Sequence, residues 1–297
     1  MDFHNKNKMK SLDKRRASHV IFILAILFSP FAHAEKPVFQ AGFDLMRFDY
    51  AEYDANNVFL DGETGFLPGI SLKLKLNSRP WFFEWHGQVH GNTIKYDGQT
   101  QSGIPVKTDS IAIITDSSIK LGLQLAEVHE PYIGLGHRYW YRNILNGYDI
   151  NGSPVAGLLE HYYWYYAMLG YAANFRLSDQ VSLGFDIRKN HMINAKMDVN
   201  FLGYKGYDYT QVNLGNRPGA RIAFPLHIKM KQNTLIVTPY YEIIDIGKSN
   251  AVALYKNGGV AVRGCNTKDP LYPNDQCKIY EPRSETRNVG IELMWVW

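Results

Sequence analysis

Along most of this chain the side chains alternate apolar and polar with period two, which favours strands over helices. In 67–77, Ile70, Leu72, Leu74 and Leu76 share one phase, and Ser71, Lys73 and Lys75 the other. Successive side chains of a strand point to opposite faces, so this stretch is grease on one side and ionic on the other. Ten stretches of the kind stand at about 39–53, 67–77, 81–96, 108–125, 131–143, 160–177, 180–191, 217–230, 233–248 and 284–297. In the third, Trp81, Phe83, Trp85 and Val89 oppose Glu84, His86, Gln88 and His90. The first loses phase near Met46 and Arg47, which predicts a bulge there or a displaced boundary.

The joins alternate in length. Those at 77–80, 126–130, 177–180 and 230–233 are tight, whereas 54–66, 97–107, 144–159, 192–216 and 249–283 are long and rich in Gly, Asn and Asp. Four short and five long joins order ten strands into an up-and-down sheet with both ends on one side. A soluble sandwich shares the alternation, so the two ends of the chain carry the decision.

Residues 1–34 read as an export leader. Lys6, Lys8, Lys10, Lys14, Arg15 and Arg16 precede an apolar run at 20–31, and Ala32 and Ala34 stand at the −3 and −1 positions before Glu35. Against Asp2 and Asp13 these six bases leave a surplus of four, which is the whole formal charge of +4. The remaining 35–297 is charge-balanced, and no nucleic-acid footprint survives in it. Its two cysteines, Cys265 and Cys277, are expected to pair as a disulfide in an oxidising compartment. Neither a metal nor a cofactor is expected.

No stretch after the leader approaches the 18 apolar residues of a spanning helix. In lipid the other solution that satisfies every backbone polar group is a closed barrel. The expected fold is therefore all-β: a closed antiparallel transmembrane β-barrel of ten strands in the cell outer membrane. Short periplasmic turns and long extracellular loops follow from the joins. Aromatic belts support this placement, with Trp81, Trp85, Phe175, Trp295 and Trp297 near inner ends and Tyr139, Tyr141, Tyr163 and Tyr165 near outer ends. The partners so implied are outer-membrane lipid and lipopolysaccharide.

The ending Val289-Gly290-Ile291-Glu292-Leu293-Met294-Trp295-Val296-Trp297 resembles the C-terminal strand of bacterial outer-membrane barrels. That resemblance implies recognition of Trp295 and Trp297 by the barrel-assembly machinery, although the last residue of such strands is usually Phe. In strand number and length the chain resembles the omptin proteases and the Opc-type adhesins. Omptin catalysis uses an Asp pair and an Asp-x-His pair, and 35–297 contains neither Asp-x-Asp nor Asp-x-His. Small barrel lipid A deacylases use adjacent His and Ser, also missing there.

The inward phase is expected to carry a polar network that fills the lumen, with Glu84, His86, His90, Asp116, Lys120, Arg138, Asp186, Arg188 and Arg221 as members. Residues four apart on a strand stand roughly 13 Å apart, so His86 and His90 cannot share a metal. A cross-strand catalytic site at the outer rim would draw on Glu160, His161, His191 and Asp245. The expected role is surface recognition, with a host or matrix ligand held by the external loops. A narrow solute pore and an outer-membrane hydrolase are the alternatives.

Overall fold

The computed structural model describes residues 35–100, 102–126, 128–262 and 276–297; the expected leader, 1–34, and Cys265 lie outside them. Ten antiparallel strands form one closed wall. They are β1 (Val38–Tyr53), β2 (Phe59–Ser78), β3 (Trp81–Gln99), β4 (Pro105–Leu123), β5 (His129–Ile144), β6 (Leu158–Arg176), β7 (Val181–Asn200), β8 (Pro218–Ala223 continued by Leu226–Lys229), β9 (Thr234–Ile246) and β10 (Arg283–Val296). Each strand pairs with its neighbours in sequence, and β10 closes on β1.

The pairing itself measures the barrel. From Ala41 one circuit runs through Leu72, Gly87, Ser117, His137 and Tyr165 to Ile193. The other runs through Trp295, Leu235 and Ile228 to Val181. Both arrive on β7, twelve residues apart, and that offset is the stagger needed for closure. At roughly 3.3 Å per residue and roughly 4.8 Å between strands, it tilts the strands by about 40° and sets a radius near ~10 Å.

Alternation sorts the two faces as the sequence leads one to expect. Phe39, Phe43 and Leu45 of β1, Ile70 and Leu72 of β2, and Leu183 and Ile187 of β7 are exposed on the outside. Asp44, Ser71, His86, His90, Asp116, Arg138 and Glu292 are buried on the inside. Tyr165 and Trp297 are exposed on the exterior toward opposite ends of the wall.

Two expectations are corrected. β1 keeps its register with β2 and β10 through Met46 and Arg47, so no bulge lies there. What changes is the chemistry of the faces: Met46, Phe48 and Tyr50 are buried inside while Arg47 points out. The strand has climbed past the apolar band, where the outer face meets water and the lumen can be greasy. The wall does carry a bulge in β7, where Ile193 and Lys196 face Tyr165 and Tyr163 and Asn194 takes φ 52°. Asn tolerates this left-handed conformation better than most residues.

The second correction concerns the long joins. β2 begins at Phe59 and β7 continues to Asn200, so much of 54–66 and 192–216 is barrel wall. Strands of up to 20 residues, rising roughly 2.5 Å each at this tilt, reach about 50 Å, twice the ~25 Å apolar band of a membrane barrel. Above the band the exterior is ionic, with Lys95–Asp109 at 2.7 Å and Lys107–Asp97 at 3.0 Å across β3 and β4. What remains of the long joins is 54–58, 100–104, 145–157, 201–217 and 247–282, and among their described residues short strands persist, with Thr210–Asn213 pairing with 196–199 of β7.

Candidate functional site

At a radius near 10 Å, long side chains from opposite walls meet across the axis. All nine residues expected in the lumen are on its inner face, and they pair in layers. Deepest, Lys120 joins Glu84 at 3.2 Å and Asp186 at 3.4 Å, and the Tyr132 hydroxyl donates to Asp186 at 2.6 Å. Lys75 meets Glu130 at 2.8 Å at the same end. Next, His86 contacts Glu292 at 3.1 Å, His90 approaches Asp44 at 3.3 Å, and Arg221 lies 4.0 Å over the Tyr240 ring. Then Arg138 bridges Asp116 at 2.8 Å and Glu242 at 3.0 Å, with Arg188 3.5 Å from Glu242. Arg138 and Glu242 come from β5 and β9, so these bonds tie the barrel across its axis.

Above these ion pairs the lumen turns apolar. Met46, Phe48, Ile114, Trp140, Trp164 and Ile244 pack as one buried cluster. Trp140 lies edge-on to Phe48 at 5.4 Å and stacks on Tyr162 at 4.7 Å. Cavities at this level are about 20 Å³ each, the volume of a single water. The lumen is filled along the described strands, partly by grease where a wholly polar network was expected.

Over the apolar layer, at the level where the wall stands clear of the apolar band, lies an acidic cluster on Arg142, whose inward phase and pairing with acids the sequence predicts but whose carboxyls it does not bring together. The Arg142 guanidinium reaches Glu52 at 3.0 Å, Asp61 at 3.0 Å, Glu63 at 2.9 Å and Glu160 at 2.8 Å. It also lies 4.8 Å over the Tyr50 ring. A fifth carboxyl, Glu281, descends from the last loop and takes hydrogen bonds from the Tyr162 hydroxyl at 2.7 Å and the Tyr50 hydroxyl at 3.2 Å. Burial, and then Glu52 beside it, pushes Asp61 well above the usual carboxylate range. Burial, with Glu52 and Glu160 adding to it, does the same to Glu281. Glu160 is raised mainly by burial, against the pull of Arg142. Burial alone would lower Arg142, but Glu63 and Glu160 outweigh it and hold the guanidinium charged. A signal was present: Glu52 shares its parity with inward Asp44, and Asp61 and Glu63 are two apart on one strand face.

The rim residues expected to form a catalytic site do not converge. Glu160 is inside, committed to Arg142, while its neighbour His161 must point outward by the period of the strand. There His161 Nδ1 meets the Tyr139 hydroxyl at 2.6 Å. His191 and Asp245 are likewise on the outer phase of β7 and β9. Among the described residues no group of three or more His, Cys, Asp or Glu is placed to hold a metal ion.

The two largest loops are fastened together. Asp208 accepts backbone N–H bonds from Asn257 at 3.1 Å and Gly258 at 2.8 Å, and its own N–H reaches the Tyr255 carbonyl at 2.9 Å. Buried Leu254, Ala261 and Cys277, with Phe201, Tyr207 and Ile279 against them, form a small core of their own. Cys277 is not free, and Cys265 lies outside the described residues.

A staggered ten-stranded wall with an apolar exterior band and an ion-paired lumen defines a closed β-barrel of the outer-membrane kind. Comparison with solved structures agrees. The chain is similar to the outer membrane protease OmpT of Escherichia coli at TM-score 0.52 and 11% identity, over 88% of this chain and 96% of that one. It is more distantly similar to the toluene transporter TodX of Pseudomonas putida, at TM-score 0.33 and 10% identity, over 88% of this chain and 89% of that one. The β-domain of the Bordetella autotransporter BrkA gives TM-score 0.36 and 9% identity, over 85% and 98%. No family model matches the chain, and no curated protein matches it.

Proposed function

We propose that this chain is a surface protein of the outer membrane, whose filled barrel is a mount for a recognition platform. In this reading 1–34 is removed on export, and 35–297 is folded by the barrel-assembly machinery using Trp295 and Trp297. The finished barrel is embedded among lipid and lipopolysaccharide. Cys265 and Cys277 cross-link the last loop. The observation that carries the proposal is the combination of a filled lumen with fastened outer loops. A barrel that packs its own axis leaves its exposed surface at the top, and there 201–208 is held as one unit with 254–261 and 277–279. Preorganised loops lose less entropy on binding, which suits them to grip a host or matrix ligand.

The test compares adhesion of cells displaying the full chain with cells whose 250–280 is replaced by a short Gly-Ser linker. Heat-dependent gel mobility establishes that both barrels are assembled. The proposal expects adhesion above a strain lacking the protein, lost with the loop. Adhesion equal to that of the lacking strain, or unchanged on loop replacement, overturns it. Cleavage of fluorogenic peptides by the purified barrel would favour the hydrolase alternative raised by the OmpT-like fold.

A further inference from the structure

The acidic cluster raises a question of proton count. Tyr50 Oη stands 2.6 Å from Glu52 and 3.2 Å from Glu281, and Tyr162 Oη stands 3.1 Å from Glu160 and 2.7 Å from Glu281. Each phenol carries one proton, so two hydroxyls serve four carboxyl contacts and can neutralise none of them. Glu52 beside Asp61 adds to this, because like charges in a buried site oppose each other's ionisation. Four carboxyls touch one guanidinium and Glu281 sits beside them on Tyr50 and Tyr162, so full ionisation would leave a buried surplus of negative charge.

Glu281 is the movable member. Four others belong to barrel strands, whereas Glu281 ends the last loop before β10. Its backbone N–H bonds to Ser249 Oγ at 2.7 Å and its carbonyl accepts from the Ser249 N–H at 2.9 Å, so the two ends of that loop are buckled at this point. We propose that Glu281, seated as a neutral acid among Tyr50, Glu52, Asp61, Glu63, Tyr96, Arg142, Glu160 and Tyr162, is a proton-held latch that keeps the last loop on the barrel mouth.

The direction follows from where the protons are bound. The seated cluster binds protons that the released, solvated carboxyls give up in the ordinary range near pH 4. Latch stability is therefore full below that range and declines as pH rises toward the raised values of Asp61, Glu160 and Glu281. Alkaline pH releases the two described ends of the loop, 247–254 and 276–282, and acid pH seats them. The ordinary neutral amide of Glu281→Gln keeps the seat but cannot ionise.

Amide hydrogen exchange read by mass spectrometry on the full barrel in detergent tests this, for peptides covering 247–254 and 276–283. Rates are corrected for the intrinsic pH dependence with an unfolded reference. From about pH 5 to about pH 9 the native chain is expected to lose about tenfold or more of its protection there, with the strand peptides unchanged. Glu281→Gln should hold its protection flat. Glu160→Gln, which removes a neighbouring charge, should shrink the fall. A flat profile in the native chain, or an undiminished fall in both variants, overturns the latch. Neither result bears on whether the loops bind a ligand.

Discussion

Arg142 is the residue on which the outer mouth depends. It is fully buried, and its guanidinium hydrogen-bonds Glu52, Asp61, Glu63 and Glu160. Removing one partner from a buried ionic cluster leaves uncompensated charge, which costs about 3–5 kcal/mol. Arg142→Met should therefore lower barrel stability by roughly that amount at neutral pH, read from the urea unfolding midpoint in detergent. The deficit should narrow at acid pH, as the orphaned carboxyls protonate. A variant as stable as the native chain at neutral pH would contradict the charge assignment. Glycines under aromatic rings make a second prediction at this scale. Gly136 pairs directly with Tyr166, Gly170 with Tyr132 and Gly290 with Tyr240, and a Cβ at any of them would meet the ring. Gly290→Ala should cost about 1–3 kcal/mol by overpacking.

At the scale of elements, the strands were legible because one face of each meets lipid-like surroundings and the other a polar lumen. The ten expected stretches lie within one or a few residues of the observed ones through the apolar band. The rule fails where its cause ends. In 59–66 and 192–200 both faces of the wall are out of the band: Lys196 and Asp198 stand on the outer face of one, Asp61 and Glu63 on the inner face of the other, and the apolar–polar pattern that identifies a strand disappears. Period two still orients those residues, and for that reason Glu52, Asp61, Glu63 and Glu160 reach a common centre that no local motif announced. Cross-strand register decided which of them meet, and register is not written in any one strand. The fastening of the loops is also non-local, resting on Asp208 and a turn about fifty residues later. Asp208→Ala should release that turn, making 252–260 a preferred site of proteolysis while heat-dependent gel mobility is preserved. Resistance equal to the native chain would show that the small core around Leu254 and Cys277 suffices alone.

For the whole molecule, the barrel circumference and the size of the inward side chains together decide what passes. Ten strands at this stagger leave a lumen that Arg, Lys, Tyr and Trp span from both walls, and alternating ionic and aromatic layers occupy it. Orientation follows from the turns. Cysteine introduced at Asn151 should be labelled by an impermeant maleimide on intact cells, and at Asp179 only after lysis; the reverse pattern would invert the barrel. As proposed, this barrel is a closed mount whose work is done at its outer surface. Single-protein conductance in a planar bilayer tests it most directly. Correctly folded protein is expected to leave current at baseline across the whole voltage range, whereas stepwise openings of reproducible size would show an open lumen and overturn the closed mount.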